Sequence, residues 1–168
     1  TKNETFAKIR AKASTHAVHN EKAIFRKEIS VKDVMESPVV AGFLTRLQCC
    51  PPTCGAGAAI VCTEEFAKKH GINADVVIAG QAMTSDFAST FGDNDMMRVV
   101  GYDMTAAAAN KVYEMSGVGP DDIDVVELHD CFTANELITY EGLGLAREGE
   151  AEKFIWDGEM LQFRQCRP

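Results

Sequence analysis

From Gly55 onward, short runs of small and apolar residues alternate with amphipathic stretches bounded by capping residues. The run Gly55-Ala56-Gly57-Ala58-Ala59-Ile60-Val61-Cys62 suits a fully buried strand packed closely against its neighbours. Thr63 then reads as the N-cap of a helix with Glu64 and Glu65 in its first turn and Lys68, Lys69 and His70 in its last, ended by Gly71. Both charge placements complement the helix dipole. A second apolar strand is expected at Val76-Val77-Ile78-Ala79, ended by Gly80, and a loop over residues 83–100, which hold Asp86, Gly92, Asp93, Asn94 and Asp95. An Ala-rich helix over residues 104–116 follows, with Asp103 as N-cap and Gly117 as C-cap. Gly119-Pro120-Asp121-Asp122 reads as a turn, and Ile123-Asp124-Val125-Val126-Glu127-Leu128 as a third strand. Thr133 and Glu136 have the spacing of a capping box for a last helix, stopped by Gly142 and Gly144. Strands alternating with helices predict an α/β layer with parallel pairing.

The first 29 residues are basic and polar, with Phe6, Ile9 and Ala13 on a helical stripe and His16 and His19 expected in solvated loop positions. Ser30-Val31-Lys32-Asp33 opens a short helix with Ser30 as N-cap, and Pro38 closes it because the residue before proline avoids helical geometry.

The 168 residues suit one medium domain or a piece of a larger one. With 46% hydrophobic residues the chain can bury a core, and no run approaches the roughly 20 apolar residues of a membrane span. The formal net charge of −8, with no Lys/Arg cluster beyond Lys68-Lys69 and a modest run from Lys22 to Lys27, argues against nucleic acid and anionic membranes as partners. The six cysteines, Cys49, Cys50, Cys54, Cys62, Cys131 and Cys166, read as reduced thiols of an intracellular protein, since no signal-peptide pattern is visible. Cys49, Cys50, Cys54 and Cys62 invite a zinc reading, but no second knuckle follows at a usual spacing, so no metal site is expected.

Candidate chemistry gathers where the third strand runs into His129-Asp130-Cys131-Phe132 just before a helix. In open α/β sheets, ligands bind beyond the carboxyl ends of strands. His129 can donate a hydrogen bond or move a proton near neutral pH. A helix N-terminus favours an anion, so it suits a thiolate at Cys131, and its free N–H groups can hold a developing oxyanion. On the residues alone, the loop equally suits a small packed thiol with Asp130 as a helix cap.

Residues 121–132, continuing through Asn135-Glu136-Leu137, strongly resemble the thiolases of the sterol-carrier-protein X type. Their fingerprint in this loop is His-Asp-Cys-Phe, where most other thiolases carry Asn-Glu-Ala-Phe. Leu47-Gln48-Cys49-Cys50-Pro51 and the Gly-Ala-rich strand after it also look like this family, as does Tyr140-Glu141-Gly142-Leu143-Gly144-Leu145. The match runs from about Phe6 to about Ile155.

The resemblance implies an α/β, partial thiolase fold. Residues 1–45 would be the end of a loop domain, 46–73 the end of the first α/β half, 74–155 the start of the second half with its mixed sheet and flanking helices, and 156–168 a divergent tail. It implies an acyltransferase that cleaves 3-oxoacyl-CoA with CoA, or runs the Claisen condensation in reverse, through an acyl-cysteine. In that scheme His129 builds the oxyanion hole, Cys131 moves the substrate α-proton, Asp130 buttresses the loop and Phe132 walls the pantetheine tunnel. Coenzyme A thioesters are the substrates and no cofactor is implied. The resemblance also implies a homodimer in the full-length protein and a peroxisomal or mitochondrial location. The family's nucleophilic Cys-x-Ser and its Gly-His-Pro loop are absent from these residues, so the chain alone is expected to be inactive and unstable in isolation. Competing readings are a retro-aldolase of the same superfamily acting on a steroid side chain, a non-catalytic interaction module, and a zinc domain.

Overall fold

A computed structural model describes residues 1–92 and 94–160. Asp93, Cys166 and the tail beyond residue 160 lie outside the described residues. The order of elements is α1 (Asn3–Val18), α2 (Val31–Met35), β1 (Val39–Ala41), β2 (Leu44–Thr45), α3 (Glu64–His70), α4 (Met96–Val99), α5 (Tyr102–Ser116), α6 (Thr133–Gly142) and α7 (Ala151–Trp156). Single 3-10 turns occupy Arg46–Gln48 and Pro120–Asp122.

The helix ends follow local chemistry. Ser30 accepts from the Asp33 N–H while Asp33 accepts from the Ser30 N–H, a complete capping box for α2. Thr63 caps α3 by accepting from Phe66 N at 3.2 Å, and Gly71 ends that helix at φ +62°, in the left-handed region where glycine has no Cβ penalty. Gly117 ends α5 in the same way. Two predicted caps are corrected. α5 starts two residues earlier than expected, with Gly101 as its N-cap at φ +95° and Asp103 inside its first turn. Phe132 is the N-cap of α6, without a side-chain cap bond, so neither Thr133 nor Asp130 caps that helix. Residues 83–100 are less irregular than expected, because Asp95 accepts from Met97 N and opens the single turn α4. His16 lies on α1 rather than in a loop, and His19 is its C-cap.

The packed core lies where α1, α6 and α7 meet. Ile9, Tyr140, Ala151 and Ile155 are buried together, and Leu128, Leu137, Leu145, Phe154 and Met160 pack around them. α1, read above as the end of a loop domain, therefore docks directly on α6 and α7. Trp156 Nε1 donates to Thr5 Oγ1 at 2.9 Å, and Thr5 Oγ1 donates to Glu152 at 2.6 Å, which ties α7 to the first turn of α1. A buried ion pair crosses the core: Lys12 Nζ donates to Glu136 and, at 3.3 Å, to Tyr140 Oη, while the Tyr140 hydroxyl donates to Glu136. Burial and the adjacent Glu136 carboxylate push the Tyr140 phenol far above its ordinary range. Each buried charge thus has hydrogen-bonding partners, the condition on which burial is tolerable.

α5 packs against α6 through a close approach at Gly142. A Cβ there would stand 2.9 Å from Thr105 Cγ2, and Thr105 is held by its hydroxyl donating to Gly101 O at 2.9 Å. Tyr113 Oη reaches across the same interface and donates to Leu143 O at 2.7 Å.

The described sheet is a two-stranded antiparallel ribbon, Val39 opposite Thr45 and Ala41 opposite Leu44, with Phe6 of α1 stacked on Phe43 of its turn. The three apolar runs predicted as buried, parallel-paired strands are corrected. Residues 55–62, 76–79 and 123–128 have no ladder partner among the described residues, and Ile60 and Val76 are 100% and 91% exposed. An apolar run records that a segment is to be covered, but not by which neighbour. Ladder bonds are non-local, and these three segments do not serve one another as partners. Of the third run, the last residue, Leu128, packs against the core and carries the chain to the base of α6.

Candidate functional site

The loop His129-Asp130-Cys131-Phe132 lies between the third apolar run and α6. Its position is fixed from three sides. Leu128 anchors its start in the core. Asn135, in the first turn of α6, donates from Nδ2 to His129 O at 2.9 Å. Phe132 forms an antiparallel bridge with Cys49, and Cys50 N donates to Cys131 O at 2.9 Å. The last contact comes from a segment some 80 residues earlier, just beyond the Arg46–Gln48 turn.

His129 is exposed, Asp130 and Cys131 are partly buried, and Phe132 is 43% exposed. The thiol of Cys131 is therefore not sealed in packed hydrocarbon. It precedes the first turn of α6 by two residues, beside free backbone N–H groups and the positive end of a ten-residue helix. This disposition can hold an anion or a developing oxyanion and keeps a thiol within reach of solvent. Asp130 makes no cap bond to α6, and its charge acts on the nearby Tyr140 phenol, raising it further.

Two buried groups below the loop have no hydrogen-bond partner among the described residues. Gln48 accepts from Thr45 N through Oε1 at 3.1 Å, but its Nε2 is unpaired, and so is Thr133 Oγ1. Each belongs to a residue only 2% exposed. Sequence reading assigned Thr133 to a cap and gave Gln48 no role. Nothing local signals that the two flank the bridge.

The two cavities described lie elsewhere. One, of about 430 Å³, is lined by residues including Gln81, Met83, Lys111 and Met115; the other, of about 560 Å³, by residues including Met104, Ala108, Val112 and Tyr113. Neither is lined by His129, Cys131 or Phe132. Cys54 and Cys62 are exposed on chain without regular structure, and among the described residues no three His, Cys, Asp or Glu side chains converge as a metal cluster. Also among the described residues, no helix is long and apolar enough to cross a membrane.

The comparisons with known proteins point to one superfamily. Residues 88–162 match the family described as thiolase C-terminal domain-like. A solved structure, the Ltp2-ChsH2(DUF35) aldolase, superposes with a TM-score of 0.75 over 94% of this chain and 42% of that one, and at 24% identity it establishes the α/β fold alone. Residues 88–162 carry a thiolase C-terminal-like domain, and nearly the whole chain is similar to proteins of the thiolase superfamily. Within it, sterol carrier protein 2 of Rattus norvegicus is 50% identical over 160 residues, which is 95% of this chain and 29% of that protein. The benzoylsuccinyl-CoA thiolase subunit BbsB of Thauera aromatica is 43% identical over 163 residues, covering 97% of this chain and 41% of that subunit. The resemblance to the sterol-carrier-protein type read from the His-Asp-Cys-Phe loop is thus borne out, and the chain spans less than a third of the rat relative.

Proposed function

We propose that this chain supplies the His129-Asp130-Cys131-Phe132 loop of a thiolase that cleaves or condenses 3-oxoacyl-CoA, acting as a homodimer in the protein that contains it, in a peroxisome or mitochondrion. The observation that carries this reading is a partly exposed thiol, Cys131, held at the N-terminal end of α6 with His129 two residues before it.

In this reaction, a carbon acid next to a thioester must lose and regain a proton, and negative charge gathers on the thioester oxygen. Cys131 takes and returns that α-proton. His129 donates a hydrogen bond to the thioester oxygen, beside the free N–H groups of α6. Phe132, exposed for nearly half its surface, offers an apolar wall to the pantetheine arm. Asp130 supports the loop from its partly buried position. The acyl-cysteine forms on a nucleophile outside these roles, and no metal or organic cofactor enters.

The test uses the longer protein carrying this segment. Cys131→Ser is expected to lower thiolysis of acetoacetyl-CoA by roughly 10²–10⁴-fold, and to slow exchange of the acyl-CoA α-proton with deuterated water in parallel. Acyl loading of the nucleophile should persist. Unchanged deuterium exchange in Cys131→Ser would remove Cys131 from the proton-transfer role.

A further inference from the structure

We infer that Cys50 and Cys131 form a reversible dithiol–disulfide couple across the bridge that holds the site loop. Cys49 and Phe132 are antiparallel bridge partners, and one step further along each strand places Cys50 opposite Cys131. The 2.9 Å bond from Cys50 N to Cys131 O marks the same register. Directly opposed residues of an antiparallel pair have Cα atoms about 5.5 Å apart and side chains on one face, and disulfides span Cα separations of roughly 4.4–6.8 Å.

Exposure and competition both single out this pair. Cys50 is exposed and Cys131 partly so, and both are free thiols. Cys49, one residue away, projects to the other face of its strand, and its Sγ is engaged with Thr45 O at 3.5 Å. Pro51 and Pro52 follow immediately and end the pairing, which leaves Cys54 on chain with no register to the loop.

The chemistry balances with a hydroperoxide as oxidant. One thiolate attacks a peroxide oxygen, the O–O bond breaks, and a sulfenic acid and one water form. The other thiolate attacks that sulfur, the S–S bond forms, and the S–O bond breaks to release a second water. Two thiols and hydrogen peroxide thus give a disulfide and two waters, and a dithiol reductant reverses the change. If Cys131 moves the α-proton, the oxidised form is switched off; that consequence rests on the proposed thiolase function, whereas the couple itself does not.

The test treats the native protein with graded hydrogen peroxide, alkylates remaining thiols, and locates the linked sulfurs by tandem mass spectrometry. The expected product joins Cys50 to Cys131, leaves Cys49, Cys54 and Cys62 alkylated, and disappears with dithiothreitol. In Cys50→Ser, peroxide should instead carry Cys131 to sulfinic acid. A Cys49–Cys131 link, or full alkylation of Cys50 and Cys131 after oxidation, would overturn the couple. Formation of the Cys50–Cys131 link with deuterium exchange intact supports the couple and counts only against the assigned role of Cys131.

Discussion

Replacing Lys12 with Met tests the buried charge network, on which the docking of α1 against α6 depends. The Lys12 side chain is 12% exposed and its partner Glu136 only 2%. Without the ammonium, the Glu136 carboxylate keeps the Tyr140 hydroxyl as a donor but no opposite charge. Removing one member of a buried pair costs about 3–5 kcal/mol, and the remaining Tyr140 bond places the expected loss near the lower end, about 3 kcal/mol. For a chain of this size, that corresponds to a fall in Tm of roughly 6–12 °C. The single tryptophan makes the measurement direct. Trp156 sits on α7 with its indole N–H on Thr5 and Lys8 4.4 Å above its ring, so its fluorescence follows separation of α1 from α7 in a urea titration. The double variant Lys12→Met with Glu136→Leu should recover more than half of the loss, because it removes the stranded carboxylate together with its partner. Equal losses in the single and double variants, or a single-variant loss below about 0.5 kcal/mol, would refute the claim that desolvation of Glu136 sets the magnitude.

Gly142→Ala should destabilise by about 1 kcal/mol, since overpacking against the fixed Thr105 methyl (roughly 1–3 kcal/mol) outweighs the helix-propensity gain of about 1 kcal/mol; a stabilised variant in the same titration would show that α5 and α6 separate freely. Tyr113→Phe should cost about 1–2 kcal/mol by leaving Leu143 O unpaired between the same helices, and an unchanged urea midpoint would contradict this. Stability should fall in acid in two stages. Burial and the charges of Lys12 and His19 hold His16 below the ordinary imidazole value of 6.5, so the folded state binds its proton less readily and stability begins to drop as pH falls through 6.5. Hydrogen bonds from Lys2 N and the Thr5 hydroxyl hold Glu152 below the ordinary carboxyl value of 4.5, so its contribution is full above that pH and lost as pH falls through the lower folded value. Urea midpoints measured against pH should lose the upper stage in His16→Gln, and an unaltered profile would exclude that histidine. Exposed Ile60, Val61, Val76, Val77 and Ile78 predict concentration-dependent association of the isolated chain, which a constant monomeric mass by light scattering would disprove.

Features set by a few neighbouring residues were legible in the chain. Ser30 with Asp33, Thr63, Gly71 and Gly117 mark helix ends where they fall, because a cap is satisfied within three or four positions of itself. The junction at His129-Asp130-Cys131-Phe132 was equally visible, as an apolar run meeting a helix start. Local reading erred where a distant group made the better offer. Glu136 has the spacing of a capping residue, but it pairs with Lys12, 124 positions away, and leaves the Thr133 hydroxyl without a partner among the described residues. The exposure of the apolar runs, the approach of Cys50 to Cys131 and the docking of α1 on α7 are likewise settled only by tertiary structure. Burial and pairing are properties of what surrounds a segment, and a linear pattern states the demand for a neighbour without naming it.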